Sequence, residues 1–266
     1  MANKTTTYVA HPVDEHGNSQ YTPEEDKVWQ ELITRQIPIV QDRACDEYIH
    51  GLELLNLPRD RVPQCPEVSK ALRQATGWAL EPVAALIPFS KFFALLADRK
   101  FPAATFIRRR EELDYLQEPD IFHEIFGHCP MLTNQACADF TNTYGKLGLK
   151  ASHEDQIMLA KLYWFTIEFG LLQTAKGLRA YGGGILSSKS ETIYSVESPV
   201  PQRKPFDVME ILRTPYRIDI IQPIYYVIDS FETIFNLTEM DLLSMIREAR
   251  ELGMYEPVYA DPKHIC

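Results

Sequence analysis

Pro119-Asp-Ile-Phe-His123-Glu124-Ile-Phe-Gly127-His128-Cys-Pro130 is the stretch on which the reading of this chain turns. Ile121, Phe122, Ile125 and Phe126 recur at helical spacing, so the segment reads as a helix over about 120–128. It invites comparison with the zinc-protease pattern His-Glu-x-x-His, but His123 and His128 stand five residues apart, one too many. On a regular helix, at about 100° per residue, five steps leave two side chains roughly 140° apart. Both reach one cation only if the helix loosens between them. Gly127 is a poor helix former and Pro130 disfavours helical geometry at Cys129, so the helix is expected to end here, with His128 swinging toward His123 from the terminal turn.

A second stretch, Lys161-Leu-Tyr-Trp-Phe-Thr-Ile-Glu168-Phe-Gly-Leu-Leu-Gln173, is read as part of a helix over about 154–175. Trp164 and Phe165 then precede Glu168 by one turn, and Leu171 and Leu172 follow it by one. A carboxylate in an apolar stripe must be paired, neutralised or bound to a metal, because burying it bare costs several kcal/mol or more. Two histidines and one carboxylate form the facial set that holds non-haem Fe(II) and leaves positions open. Zinc takes the same donors, with Glu124 as base for a bound water, so residue type alone leaves a zinc hydrolase open.

Farther out, the chain of 266 residues carries 27 Lys+Arg against 37 Asp+Glu, a net charge of −10 that opposes binding to nucleic acid or anionic membrane. With 45% hydrophobic residues it can close a substantial core, and disorder is excluded. Cys45, Cys65, Cys129, Cys137 and Cys266 are odd in number and never spaced as Cys-x-x-Cys, so they read as free thiols. No apolar run approaches a bilayer span and the start lacks a signal-peptide core, hence an expected cytoplasmic location. Residues 1–25 read as a loose leader and 26–266 as one domain, mostly α with a minor β component. A helix is expected from Thr22-Pro23-Glu24-Glu25, with others near 41–56, 66–75, 90–97, 134–146, 207–212, 229–235 and 238–252. Strands are expected at Ala104–Ile107, Thr192–Val196 and Ile218–Ile221.

The stretch 119–130, together with Tyr163-Trp-Phe-Thr-x-Glu-Phe-Gly-Leu171, Ala180-Tyr-Gly-x-Gly-x-Leu-Ser-Ser188 and Gln222-Pro-x-Tyr-Tyr226, resembles the pterin-dependent aromatic amino acid hydroxylases, most closely their short bacterial members. The resemblance runs in order from about Val28 to Phe231. It implies the single-domain helical basket of that family's catalytic domain, an iron held by His123, His128 and Glu168, and a tetrahydropterin, tetrahydrobiopterin or a relative, as co-substrate. Phe92, Glu124, Ala160 and Tyr163 fall on the pterin-binding positions. Arg108 falls on the arginine that takes the substrate carboxylate, a task suited to a planar guanidinium. Pro119, Trp164, Phe169, Gly184 and Ser187 fall on the substrate pocket, and Tyr216 on a tyrosine near its mouth. Arg109 and Arg110 read as a solvated run answered by Glu111 and Glu112. In Gly182-Gly-Gly184, small residues suit close approach of a ligand to the backbone.

The implied activity is hydroxylation of L-phenylalanine to L-tyrosine by O2 with a reduced pterin, the first step of phenylalanine catabolism. Tyrosine and tryptophan hydroxylation are the alternatives within the family, and a non-catalytic iron- or pterin-binding protein one outside it. Trp164 matches the Phe and Tyr enzymes. Ile218 stands where the tyrosine enzymes tend to carry aspartate, and it offers a phenol hydroxyl no partner. Leu116 and Gln117 depart from the Thr-Pro-Glu-Pro-Asp pattern of many relatives. The segment 238–252 is too short for sustained heptads, so a monomer or dimer is expected in place of a coiled-coil tetramer.

Overall fold

The structure, a computed structural model, describes residues 8–259 apart from 86, 115 and 117. Gln117, one of the departures noted above, therefore lies outside the described residues. Helix α1 (Pro23–Val40) starts where the sequence indicates. The Thr22 hydroxyl accepts from Glu25 N at 3.3 Å, the Glu25 carboxylate accepts from Thr22 N at 2.8 Å, and Pro23 takes the first helical position. The helix expected over 41–56 is shorter: α2 (Asp46–Leu55) begins only after Cys45, whose extended backbone donates to Ala180 O at 2.9 Å. Helix α3 (Cys65–Thr76) follows.

A strand–helix–strand unit comes next, β1 (Ala79–Val83), α4 (Phe89–Ala97) and β2 (Lys100–Ala104), its strands paired in parallel. Both strands carry a proline, Pro82 and Pro102, which removes a ladder donor from each and suits a two-stranded sheet made only of edges. It also shifts the strand expected at Ala104–Ile107 toward the N-terminus. The chain then enters a central helix formed by a π-helical stretch, His123–His128, and α5 (Cys129–Leu132). Helices α6 (Gln135–Lys150) and α7 (His153–Tyr163) lead into a second π-helical turn, Trp164–Glu168.

The helix expected to run to 175 stops at Glu168, because Gly170 opens strand β3 (Gly170–Thr174). With β4 (Gly177–Ala180), β5 (Gln202–Pro205) and β6 (Ile224–Ile228) it forms a sheet ordered β4-β3-β6-β5, antiparallel only between β3 and β4. Between these strands lie α8 (Gly183–Leu186), α9 (Lys189–Glu197) and α10 (Val208–Arg213), and after them α11 (Phe231–Asn236) and α12 (Leu242–Leu252). The strand expected at Thr192–Val196 lies inside α9. Ser188 caps that helix by accepting from Glu191 N, and the Thr192 hydroxyl donates to the carbonyls of Ile185 and Ser188, so capping and tertiary contacts override the β-branched run. Ile218–Ile221 is no strand either; pairing resumes only beyond Pro223.

Trp29, Trp78, Tyr48, Phe101, Phe122, Phe126, Phe165, Tyr225 and Tyr226 are fully buried in one apolar cluster around the central helix, as a mostly α single domain requires. Within the first 25 residues, Tyr8 stacks on Phe106 at 4.6 Å and donates to Glu112, and His11 meets Glu25 at 2.6 Å. Among the described residues no helix is long and apolar enough to cross a membrane.

Candidate metal centre and adjoining cavity

The central helix is apolar on most sides, with Ile121, Phe122, Ile125 and Phe126 all buried and Phe122 stacked on Phe126 at 4.8 Å. The loosening expected from the sequence is present, but it is a π turn inside a helix that continues past Pro130 to Leu132, and the helix does not end at His128. A π turn closes its hydrogen bonds over five residues, so residues five apart share a face. His123 Nε2 and His128 Nε2 come within 2.9 Å of each other. Pro130 has no N–H to give the carbonyl four residues back, Phe126 O; the Tyr48 hydroxyl donates to that oxygen instead, at 2.6 Å.

The second π turn presents Glu168, with Phe169 N donating to Trp164 O at 2.8 Å. Its carboxylate lies 3.2 Å from His128 Nε2 and 3.5 Å from His123 Nε2. One donor atom from each of His123, His128 and Glu168 falls within 4.8 Å of the others. Burial is the chief cause that lowers the His123 imidazole to about 4, leaving it neutral and able to ligate at pH 7. Burial works to raise the Glu168 carboxyl, but His128 and His123 together outweigh it and hold it below the usual range. A half-buried carboxylate facing two imidazole nitrogens is the donor set of a divalent cation, and these residues fit an iron of the 2-His-1-carboxylate type. His123 Nδ1 pairs with Ser187 Oγ at 3.0 Å, a partner that leaves Nε2 turned to the centre.

The glycine run does more for the donors than for a ligand. A Cβ on Gly183 would overlap the His128 ring, and one on Gly184 would lie 2.9 Å from Glu168 Oε2 and 3.0 Å from the Phe169 ring. Helix α8 can pack against both π turns because it carries no side chain there.

A cavity of about 490 Å³ opens from this cluster. Arg108, Pro119, Trp164, Phe169, Gly184 and Ser187 all line it, as do His123 and Glu168. Leu116 and Ile218 sit on the same wall, Ile218 at 55% exposure. Arg108 is 6% exposed and forked onto Asp120, Nε to Oδ2 at 2.8 Å and Nη2 to Oδ1 at 2.9 Å. Asp120 also accepts from the backbone N–H of Arg108 and of His123, at 2.9 and 3.0 Å, so one carboxylate fixes the arginine and caps the helix of the two histidines. Arg110 is paired with Glu31 across the chain at 2.8 Å, not with Glu111 or Glu112. The Arg109 backbone N–H does donate to Glu112, at 3.1 Å.

The four residues read for a pterin do not line this cavity and gather on another side of the cluster. Phe92 packs edge-on against Tyr163 at 5.5 Å, Tyr163 lies 6.5 Å from the His128 ring, and Ala160 is one turn before it on α7. Glu124 is buried; burial, then the charges of Glu168 and Asp120, push its carboxyl well above the usual range. Sequence reasoning assigned no role to Asp120, Glu191 or Gln222. Asp120 stands in the quoted stretch 119–130 and Gln222 in another quoted motif, each with no task attached.

Residues 4–248 match the family model described as biopterin-dependent aromatic amino acid hydroxylase. Phenylalanine-4-hydroxylase of Pseudomonas aeruginosa is 55% identical over 256 residues, 96% of this chain and 97% of that one. The apo structure of a cold-active phenylalanine hydroxylase from Colwellia psychrerythraea superposes with a TM-score of 0.92 at 56% identity, covering 94% of this chain and 97% of that chain. A Chromobacterium violaceum phenylalanine hydroxylase with bound oxidised Fe(III) matches with a TM-score of 0.88 at 42% identity, covering 94% of each chain.

Proposed function

The chain belongs to the biopterin-dependent aromatic amino acid hydroxylase family, and from that membership we propose that it is a phenylalanine 4-monooxygenase, converting L-phenylalanine to L-tyrosine with Fe(II), O2 and a tetrahydropterin. The observation that carries the reading is the convergence of His123, His128 and Glu168 beside a cavity that His123 and Glu168 line together with Arg108.

Bound by these three side chains, Fe(II) together with the pterin supplies the activation of O2 and the two electrons that place one oxygen atom on the ring. The protein's part is placement. Arg108, kept charged by Asp120 against the cost of burial, offers its guanidinium to the substrate carboxylate. Trp164, Phe169 and Pro119 offer apolar walls to the aromatic ring, aiming its para carbon at the metal and excluding water. Phe92 and Tyr163 give the pterin an aromatic surface, and the Glu124 carboxyl, whose proton burial holds more tightly than usual, gives its ring nitrogens a hydrogen-bonding partner. Ile218, on the exposed part of the cavity wall, offers a phenol hydroxyl no partner, which favours phenylalanine over tyrosine. The same reading extends to a monomer or dimer in the cytoplasm, supported by four buried free thiols among the described residues.

Turnover of Phe, Tyr and Trp with Fe(II), tetrahydropterin and O2 tests the proposal, with tyrosine formed from Phe as the expected product. Glu168→Ala should stay folded yet lose iron binding and turnover. Zinc-supported activity without pterin, or a fully active Glu168→Ala, would overturn the reading.

A further inference from the structure

Trp164 packs against Phe169 at 4.5 Å and Tyr216 at 4.7 Å, ring centroid to ring centroid. Its remaining fixed contact is polar: the indole Nε1–H donates to Gln222 Oε1 at 3.1 Å. The other end of that amide donates twice, to Arg217 O at 2.9 Å and Ile220 O at 2.8 Å. The Gln222 backbone N–H donates to Glu191 Oε1 at 3.0 Å, an oxygen that also accepts from the Tyr225 hydroxyl. Gln222 itself is 1% exposed, so leaving any of its own polar atoms without a partner would be costly.

These bonds join three separate pieces of the cavity wall: Trp164 from the second π turn, Glu191 from α9, and the loop 217–221. The loop has neither helical nor strand pairing, and Ile218 and Ile221 remain 55% and 42% exposed. The Arg217–Asp219 ion pair closes within the loop and does not tie it to Trp164. An amide is the side chain for this junction, with an acceptor for the indole and two donors for the carbonyls. Glutamate would set a carboxylate against two carbonyl oxygens, and methionine would leave all three groups unpaired.

We propose that Gln222 is a positioning residue for substrate preference: by holding Trp164 and the loop 217–221 in one arrangement, it fixes the width of the apolar slot that receives the substrate ring. The proposal rests on reading the cavity as the amino-acid site. Its test uses the Fe(II)-loaded protein carrying Gln222→Met or Gln222→Glu, with steady-state kinetics on Phe and Tyr and with tryptophan fluorescence. Trp29 and Trp78 are fully buried, so a Trp164→Phe background isolates the signal of Trp164.

For Gln222→Met, KM for Phe should rise about tenfold with kcat within roughly twofold, the pattern of lost positioning rather than lost chemistry. The preference for Phe over Tyr in kcat/KM should narrow. Tryptophan emission should shift to the red and become more open to iodide quenching, a change absent in the Trp164→Phe background. Gln222→Glu keeps the acceptor for the indole, so it should show the kinetic effect with a smaller emission change, and it carries the test if the Met variant does not fold. Unchanged KM and unchanged emission in a folded variant would overturn the proposal, as would a fall in kcat at unchanged KM. If the unaltered protein turned over no phenylalanine, the assigned activity would fail, while the emission change would still decide whether Gln222 fixes Trp164.

Discussion

A single methyl group at position 183 is expected to unload the metal centre while leaving the fold standing. Gly183 is not in the left-handed region, so alanine meets no backbone strain there. Its Cβ would lie 2.4 Å from His128 Nδ1 and 2.5 Å from Cε1, where ordinary contact begins at 3.4 Å, so the imidazole must retreat by about 1 Å. It has little room. His128 is 3% exposed, the Phe101 ring stands 5.1 Å away, and the adjoining void of about 10 Å³ would hold no more than one water. Metal–ligand distances tolerate only about 0.2 Å, and disturbing even an outer partner of a ligand typically costs roughly 10–100-fold in affinity. The overpacking itself should cost about 1–3 kcal/mol, less than the stability of an ordinary domain. The assay is anaerobic titration with Fe(II), repeated with Co(II), alongside circular dichroism and thermal melting. Gly183→Ala should fold and lose at least about tenfold in metal affinity. Gly184→Ala, with a closest approach of 2.9 Å to Glu168 Oε2, should fall between it and the unaltered protein. Metal binding by folded Gly183→Ala within twofold of the unaltered protein would refute the reasoning.

Other outcomes follow from buried charges and from the cavity mouth. Asp120→Ala strands the guanidinium of Arg108, 6% exposed, and should cost roughly 3–5 kcal/mol in denaturant unfolding; a loss below about 1 kcal/mol would contradict this account. Burial works to raise the Asp120 carboxyl, but Arg108 outweighs it and holds the group below 3.8, so its stabilisation is present above that pH and fades as pH falls beneath it. Lys161, whose ammonium donates to Thr214 O at 3.0 Å, is drawn down by burial from 10.5 to about 8. At this site the folded state binds fewer protons than the unfolded chain between those values, so the contribution of Lys161 to stability should rise with pH across the window by up to about 3 kcal/mol, while the buried thiols, whose pKa values burial raises, pull the other way. The stability difference between the unaltered protein and Lys161→Met should therefore grow in favour of the unaltered protein from about pH 8 to 10.5, and a difference independent of pH would count against the assignment. Ile218→Asp should raise the Tyr:Phe ratio of kcat/KM about tenfold in a competition assay, whereas an unchanged ratio would remove Ile218 from the specificity determinants.

The donor set was legible because a carboxylate in an apolar stripe, Glu168, needs a partner and two histidines complete a metal-binding set with it, whereas the five-residue spacing by itself says little. The means of uniting them was less legible. Pro130 signals a helix end only if no other donor serves Phe126 O, and that donor, Tyr48, lies on α2 with nothing local to announce it. Arg108 announced a carboxylate partner by its chemistry, yet no spacing rule selects Asp120 over the neighbouring acids; the fork becomes visible only once both side chains are buried together. The strands failed for a similar reason. Pro82 and Pro102 disguise a two-stranded sheet, and the β-branched residues of 192–196 are claimed for a helix by a serine cap and by carbonyls that accept from Thr192. Ile218–Ile221 reads as a strand by composition, yet it belongs to a loop whose carbonyls, of Arg217 and Ile220, are taken by one amide that composition cannot assign a role.

The two π turns carry a last implication. Each is a helix holding one residue more than its turn needs, so the alignment of His123 with His128, and the presentation of Glu168, reside in the count of residues and not in their kinds. Winding 123–128 as ordinary α-helix at full length would part the two imidazoles by roughly 140° with every donor still present. Removing one residue would leave the histidines four apart, the spacing at which an ordinary turn also brings them to one face, so the π turn is what lets the longer segment keep the alignment of the shorter one. An added residue has no such remedy, and alanine scanning, which preserves length, is blind to the difference.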